Sequence, residues 1–331
     1  MSLAEAIRRC EAFEHLSDEQ LEMLADCVSH NRYPAGTRVL QHGDATRDAY
    51  LIEDGQVRIQ RDTAYGSFQI AVLESGDLFG ETCFVDHGER TGDALAVVES
   101  DLLAMNPVAV KALADRDSAF ELALYWAFWK SLSTKLRDTN DRLTRFFSES
   151  GSPAAANATP PPTAASDFRL DLTDKRKLFE EQRLSNLEIN FLTSLSKERK
   201  LGSGEPIFRE GDVGEEMFVV LDGKVMISKH IPGAGEEALA FLERGDYFGE
   251  MALIDGKPRS ADAKADRRGA VVLAIPREVV AGILDIKKVS SLRLLRLLCS
   301  LVARRLRELD EKIVGWFIIS GGQGGDLGKI S

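Results

Sequence analysis

The chain has 331 residues, enough for two domains of ordinary size, and 44% of them are hydrophobic, as in globular proteins with buried cores. A formal net charge of −11 disfavours a general affinity for nucleic acid or for acidic membrane surfaces. The sequence has neither the apolar core of a signal peptide nor an apolar run of the roughly 20 residues that a membrane-spanning helix needs.

The spacing of the cysteines and histidines argues against disulfides and against metal sites. The four cysteines are scattered without a CxxC pair, and the five histidines fall at no spacing typical of metal ligands. We therefore expect a cytoplasmic protein with reduced thiols and with no disulfide, metal ion or cofactor.

The first half of the chain predicts a short helix followed by a set of short strands. Ser17 can cap the helix SDEQLEMLADC. The strands AYLIE and QVRIQ are separated by Asp54-Gly55, which predicts a hairpin between them, and Gly-Asp pairs such as Gly76-Asp77 predict further turns. Many short strands with regular turns predict a barrel or jelly roll.

A long helix is predicted after the strands, over 119–147, and a second one over 290–314. Apolar residues recur along both at alternating spacings of three and four. Three such heptads favour a coiled coil, so we expect the two helices to pair within one chain or across a homodimer. The alternative is that each helix packs only on its own domain.

The second half of the chain repeats the first. Three segments align in the same order, at offsets of 168, 169 and 170 residues: 42–59 with 210–227, 79–96 with 248–265, and 132–143 with 302–313. The second copy has its own Asp222-Gly223 hairpin signal and a short helix, NLEINFLTSL, capped by Ser185 or Asn186. Chance similarity would not keep this order over a hundred residues, so we predict a duplicated domain.

Between the copies lies a Pro-rich segment of small residues, which predicts a flexible linker. The predicted fold class is mainly β with helices (α+β), as two tandem jelly-roll barrels that are each followed by a long helix. The predicted organisation is a first domain over 1–147, a linker over 148–169, a second domain over 170–316 and a Gly-rich tail over 317–331.

One pattern occurs once in each copy and carries the functional prediction. FGE is followed nine residues later by arginine, a hydroxyl residue and a small residue, in FGETCFVDHGERTGDA and FGEMALIDGKPRSADA. We call 79–96 the first cassette and 248–265 the second cassette. Both resemble the phosphate-binding cassette of the cyclic-nucleotide-binding domain family, which includes bacterial cAMP receptor proteins and protein kinase regulatory subunits; the second is the closer match.

The residue types suit a cyclic nucleotide. Arg90 and Arg259 offer a planar set of donors to phosphate oxygens. Glu81 and Glu250 are acceptors suited to the ribose 2′-OH, the hydroxyl left when the 3′ and 5′ positions are cyclised. The glycine before each glutamate lets the backbone approach the phosphate.

The predicted site residues also include one pair on each long helix, because in the cAMP receptor family a Thr-Ser pair there contacts the adenine. The first ligand site is predicted to contain Gly80, Glu81, Thr82, Cys83, Arg90, Thr91, Gly92, Thr139 and Asn140. The second is predicted to contain Gly249, Glu250, Met251, Ala252, Arg259, Ser260, Ala261, Leu309 and Asp310. Both cassettes carry an acid three residues after the arginine, Asp93 and Asp262, which is rare in the family.

The resemblance implies a cyclic-nucleotide sensor, with cAMP favoured over cGMP as ligand, that signals through helix rearrangement to an unidentified protein partner. A receptor-like transcription factor or a kinase regulatory subunit is the alternative. Only GWFIISGGQGGDLGKIS follows the last helix, too short for a helix-turn-helix domain, so we expect no DNA binding and, with no membrane segment, no membrane partner. The sequence contains no nucleophile elbow, Walker loop or metal motif, so we expect no enzymatic activity.

Overall fold

A computed structural model describes residues 2–150, 172–182, 186–231, 235–285 and 287–321. Most of the predicted linker and residues 322–331 of the predicted tail lie outside these residues, as does the proposed cap Ser185. In the described residues no helix is long and apolar enough to cross a membrane.

The protein is a mixed structure of helices and antiparallel sheets. The helices are α1 (Leu3–Arg8), α2 (Asp18–Ala25), α3 (Glu81–Asp86), α4 (Pro107–Ala114), α5 (Ser118–Ser150), α6 (Leu172–Glu181), α7 (Asn186–Leu195), α8 (Glu250–Ile254), α9 (Arg277–Ile283) and α10 (Leu292–Ile319). The strands are β1 (Val28–Tyr33), β2 (Arg38–Leu40), β3 (Ala49–Asp54), β4 (Gln56–Thr63), β5 (Gly66–Glu74), β6 (Leu78–Phe79), β7 (Asp93–Ala96), β8 (Ser100–Met105), β9 (Lys197–Leu201), β10 (Pro206–Phe208), β11 (Glu216–Ile231), β12 (Gly235–Leu242), β13 (Tyr247–Phe248) and β14 (Asp262–Pro276).

The chain divides into two compact units, one made of 1–142 with 286–331 and the other of 143–285. The first unit contains two four-stranded sheets, ordered β1-β8-β3-β6 and β2-β7-β4-β5. The second unit contains one six-stranded sheet, in which β10-β14-β11-β12 form the main path and β9 and β13 pair at its side. The closed barrel in each copy stays a prediction of the sequence.

The Asp-Gly pairs are strand bends, and the predicted hairpins at these pairs are wrong. β3 and β4 pair with other strands rather than with each other, and Asp222-Gly223 lies inside the single strand β11. Both glycines have a positive φ, 105° at Gly55 and 71° at Gly223. A Cβ on Gly55 would lie 2.7 Å from Ser100 Cα, so the bend requires glycine where two strands meet closely.

The Gly-Asp turns are confirmed. Gly76 and Gly245 have φ of 95° and 90°. The carboxylates of Asp77 and Asp246 accept the backbone N–H of the residue three positions earlier, at 2.9 Å in both turns. The predicted cap at Ser17 is also confirmed: its hydroxyl accepts the N–H of Gln20, and the Gln20 side chain accepts the N–H of Ser17.

In each unit the described residues include an apolar core cluster at the level of the cassette. In the first unit the rings of Tyr50 and Phe79 stack with centroids 5.0 Å apart, and in the second unit Phe218 and Phe248 stack at 5.1 Å. These pairs are equivalent positions of the sequence repeat, so the duplicated sequence builds the same packing twice.

Helix α10 packs in the first unit, although the repeat places it after the second domain. Its Cys299 thiol donates to the Tyr125 carbonyl oxygen of α5 at 3.5 Å, and Arg296 forms an ion pair with Glu121 of the same helix. The helix continues to Ile319, and Phe317 packs on Phe68 with ring centroids 4.9 Å apart.

We expect Leu306→Lys to lower the free energy of unfolding by about 2–4 kcal/mol, because Leu306 is 6% exposed and an ammonium there would lose most of its hydration. Glu308→Lys on the exposed side of the same helix is the matched control. Thermal unfolding measures the effect, and light scattering assigns a single-chain or a double mass. Unchanged mass and stability in Leu306→Lys would exclude pairing through this helix.

Candidate functional site

The glycine before each cassette helix makes room for the cassette arginine. Gly80 precedes α3 with φ 77°, and Gly249 precedes α8 with φ 74°. A Cβ on Gly80 would lie 2.7 Å from Arg90 Nη1, and one on Gly249 would lie 2.5 Å from Arg259 Nη1. The prediction from the sequence was that these glycines allow the backbone to approach the ligand phosphate. The structure shows that the packing of the arginine by itself already requires glycine at both positions.

Backbone carbonyls fix the guanidinium of Arg90, which is 3% exposed. Its Nη1 donates to the Gly80 carbonyl oxygen at 3.0 Å and its Nη2 to that of Asp48 at 2.7 Å. Its Nε donates to the hydroxyl of Thr46 at 3.1 Å. An arginine has five N–H donors, so two of them remain for a ligand.

Glu81, at the start of α3, is a fully buried carboxylate with one occupied oxygen. Its Oε1 accepts from Lys135 Nζ at 2.5 Å and from the Ser131 hydroxyl at 2.9 Å, both on α5. Its Oε2 has no hydrogen-bond partner among the described residues. A buried carboxylate oxygen without a donor is costly, and a hydroxyl of a bound ligand would satisfy it.

These groups line one cavity of the first unit, with a volume of about 1160 Å³. All the residues predicted for the first site line it except Asn140, which is buried elsewhere. This volume is large enough for a small-molecule ligand.

Helix α10 also contributes to this cavity, through Leu306 and Asp310. Leu309 and Asp310 were predicted for the second site, and this assignment is corrected because α10 packs in the first unit. Leu309 is buried and does not line the cavity. The cavity thus combines Thr139 of α5 with Asp310 of α10.

Asp310 is a buried carboxyl, and its Oδ1 has no hydrogen-bond partner among the described residues. Burial raises its pKa to about 7. The nearby cations Arg142, Lys135 and Arg61 lower this pKa, and the neighbouring Glu311 raises it. Asp310 therefore changes its charge near neutral pH, inside the cavity.

The second cassette repeats this geometry in the second unit. Arg259 is 6% exposed; its guanidinium donates to the carbonyl oxygens of Gly249 and Glu216 and lies 4.2 Å above the ring centroid of Phe208. Burial lowers the pKa of Arg259. Glu250 is also buried, so both cassettes place a carboxylate and a guanidinium out of solvent. Of the other predicted residues of this site, Met251, Ala252 and Ala261 are buried and Ser260 is half-buried.

The acids that follow the two arginines have a structural role. Asp93 accepts the backbone N–H of His42 at 2.9 Å, and Asp262 accepts that of Glu210 at 2.8 Å. They tie each cassette to the turn that precedes β3 or β11, which explains why the same acid stands in both copies.

The residues that α5 supplies to Glu81 were not predicted from the sequence. Ser131 and Lys135 are four residues apart and share one face of α5 beside its apolar seam. A polar pair next to an apolar seam was a usable signal for a buried partner.

Comparison with known proteins identifies both copies. A family model described as Cyclic nucleotide-binding domain matches residues 30–117 and 198–287. The chain is 22% identical over 277 residues to the cGMP-dependent protein kinase egl-4 of Caenorhabditis elegans, covering 83% of this chain and 29% of the kinase. It is 35% identical over 123 residues to the Cyclic AMP receptor protein of Thermus thermophilus, covering 37% of this chain and 55% of the receptor protein.

Among solved structures, the chain is similar to the regulatory domain of Toxoplasma gondii PKA with cAMP. The TM-score is 0.32 at 18% identity, covering 88% of this chain and 93% of that one. The chain spans less than a third of the length of the egl-4 kinase and about half of the receptor protein.

We expect the contribution of Asp310 to the free energy of unfolding to depend on pH. Its pKa is about 7 in the folded protein and near 3.9 in an unfolded chain, so the folded state binds more protons between these values. The free energy of unfolding should therefore fall as pH rises from about 4 to about 7. Asp310→Asn should remove this fall, and Glu308→Gln, an exposed carboxylate of the same helix, should keep it. Urea unfolding across this pH range measures both; parallel curves for wild type and Asp310→Asn would contradict the assignment.

Proposed function

This chain belongs to the cyclic nucleotide-binding domain family, and we propose that it is a sensor that binds one cyclic nucleotide in each cassette and transmits the binding to a partner protein. The first cassette supplies the observation that carries this proposal. A buried carboxylate oxygen without a donor, on Glu81, lies in the same cavity as two unused N–H donors of Arg90.

The two groups match the two polar groups of a cyclic nucleotide that every base variant shares. The ribose 2′-OH donates to Glu81, and the cyclic phosphate accepts from Arg90. Lys135 fixes the Glu81 carboxylate from the other side, so the acceptor is oriented before the ligand arrives. No step of bond breaking is required of these residues, which supports binding rather than catalysis.

We propose cAMP as the ligand, with cGMP as the alternative. The relative with 35% identity is a cyclic AMP receptor protein, whereas the kinase relative egl-4 is cGMP-dependent. The partner is a protein effector. The kinase alignment covers 83% of this chain, including both cassettes, which favours a regulatory role on an enzyme over the alternative of a receptor-like transcriptional regulator.

We expect Arg259→Ala to weaken nucleotide binding at the second cassette by about 30- to several-thousand-fold, equivalent to roughly 2–5 kcal/mol, because the phosphate loses a buried charged donor. Arg90→Ala should act in the same way on the first cassette. Arg268→Ala, an exposed arginine of β14, is the control. Calorimetry with cAMP and with cGMP measures both sites; unchanged binding in the Arg90→Ala, Arg259→Ala double variant would exclude the two cassettes as the ligand sites.

We expect Asp310 to select the base in the first cassette. Its ionised carboxylate accepts from the adenine N6 amine or from the guanine N1–H and N2 amine, so affinity for these bases should rise as pH increases through about 7. Competition by cAMP, cGMP and cyclic inosine monophosphate against a fluorescent analogue, in an Arg259→Ala background, measures the selectivity. Asp310→Ala should change it, and Asn140→Ala, outside the cavity, should not. The same selectivity in Asp310→Ala would show that α10 does not contact the base.

A further inference from the structure

The turn that joins α3 to Arg90 is backbone-strained in the first unit. In this turn, residues 86–89, His87 has φ 60° and is the one non-glycine residue with positive φ in the described part of the chain. The equivalent residue of the second cassette is Gly256, with φ 68°. A side chain with a Cβ is disfavoured in this conformation, so the same positive φ costs more at His87 than at Gly256.

A second sequence difference between the two turns also makes the first turn the less ordered one. Pro258 precedes Arg259 in the second cassette, and Glu89 precedes Arg90 in the first. Proline fixes φ and limits the unfolded conformations of the turn, whereas glutamate does not. The sequence of turn 86–89 therefore favours the observed backbone conformation less than the equivalent turn of the second cassette does, although Arg90 follows directly after it.

Arg307 of α10 supplies contacts to both ends of this turn. Its guanidinium forms a bidentate ion pair with Asp86, with Nε at 3.0 Å from Oδ2 and Nη2 at 3.0 Å from Oδ1. Its Nη1 donates to the carbonyl oxygen of Glu89, the residue before Arg90. Bidentate pairs of this kind fix direction as well as distance.

The turn has space for this guanidinium because residue 88 is glycine. A Cβ on Gly88 would lie 2.5 Å from Arg307 Nη2 and 2.8 Å from its Cζ. Gly88 does not have a positive φ, so its own backbone does not call for glycine. The second cassette has Lys257 at this position.

Other contacts hold α10 in place independently of the turn. Glu311 forms an ion pair with Arg61 of β4, and Phe317 packs on Phe68 of β5. These contacts lie on the strands, so Arg307 reaches the turn from a helix that is anchored elsewhere.

We propose that Arg307 is a positioning residue for nucleotide binding in the first cassette. By tying Asp86 to the Glu89 carbonyl it holds the strained turn in the conformation that places Arg90 and the α3 carboxylate Glu81 together. Binding in the first cassette thus depends on a side chain more than 200 residues away in the sequence. The inference rests on the proposed function, since it assumes that Arg90 and Glu81 bind the ligand.

The test uses the whole 331-residue chain with Arg259→Ala, so that calorimetry with cAMP and cGMP reports the first cassette alone. We expect Arg307→Ala to weaken binding by about 5- to 30-fold, as when a part-buried charged contact is lost. Arg307→Lys should restore only part of the affinity, because an ammonium cannot form the bidentate pair. Gly88→Ala should displace the guanidinium and reproduce the loss. The matched control is Arg296→Ala, which removes an ion pair of α10 to α5 rather than to the turn.

A rescue separates positioning from general stability. His87→Gly removes the backbone strain, so in that background Arg307→Ala should lose at most about 3-fold in affinity, while the melting temperature loss from Arg307→Ala stays the same. Equal affinities for Arg307→Ala and its parent would overturn the proposal, as would an undiminished loss in the His87→Gly background. If the Arg259→Ala parent itself binds neither nucleotide, while Arg307 is intact, the proposed function of the first cassette fails instead.

Discussion

The arrangement of each cassette depends on one buried interaction, the hydrogen bonds from the cassette arginine to backbone carbonyl oxygens. In the first unit Arg90 donates to the carbonyls of Gly80 and Asp48, so hydrogen bonds connect the residue before β3, the residue before α3 and the arginine. The cost of removing the Arg90 guanidinium from water is offset in part by three of its five N–H donors, which are directed at protein acceptors. The requirement for glycine at residue 80 follows from this packing.

The two units bury the cassette arginine in the same way, but the turns that precede it differ in how strongly their own residues favour the observed backbone conformation. The second turn uses Gly256 and Pro258, residues that adopt its backbone conformation without strain or with little freedom to lose. The first turn uses His87 and Glu89 and is held by Arg307. The two cassettes therefore share the packing of their arginine, while the turn before it is ordered by its own residues in the second unit and by contacts with a distant helix in the first.

The sequence predicted a cassette in each copy, and all but one of the residues predicted for the first site line the first cavity, because the cassette residues are close together in the chain. Prediction from the sequence failed where two segments that are distant in the chain come into contact. Asp54-Gly55 is compatible with a hairpin and with a strand bend, and only the neighbouring Ser100 decides between them. The repeat shows that Asp310 is equivalent to Asn140, but it contains no information on which unit a long helix packs against. Lys135, the partner of Glu81, was not predicted either, because it lies 54 residues further along the chain.

The position of α10 has a consequence for how the protein is made. Synthesis proceeds from the N-terminus, so the strands of the first unit and helix α5 leave the ribosome well before residues 292–319. The contacts of Asp86 with Arg307 and of Arg61 with Glu311 are among the most distant in sequence, and contacts of this kind form late in folding. During translation the first cavity is therefore open on the side that α10 covers, and its apolar lining is exposed until the last helix is complete.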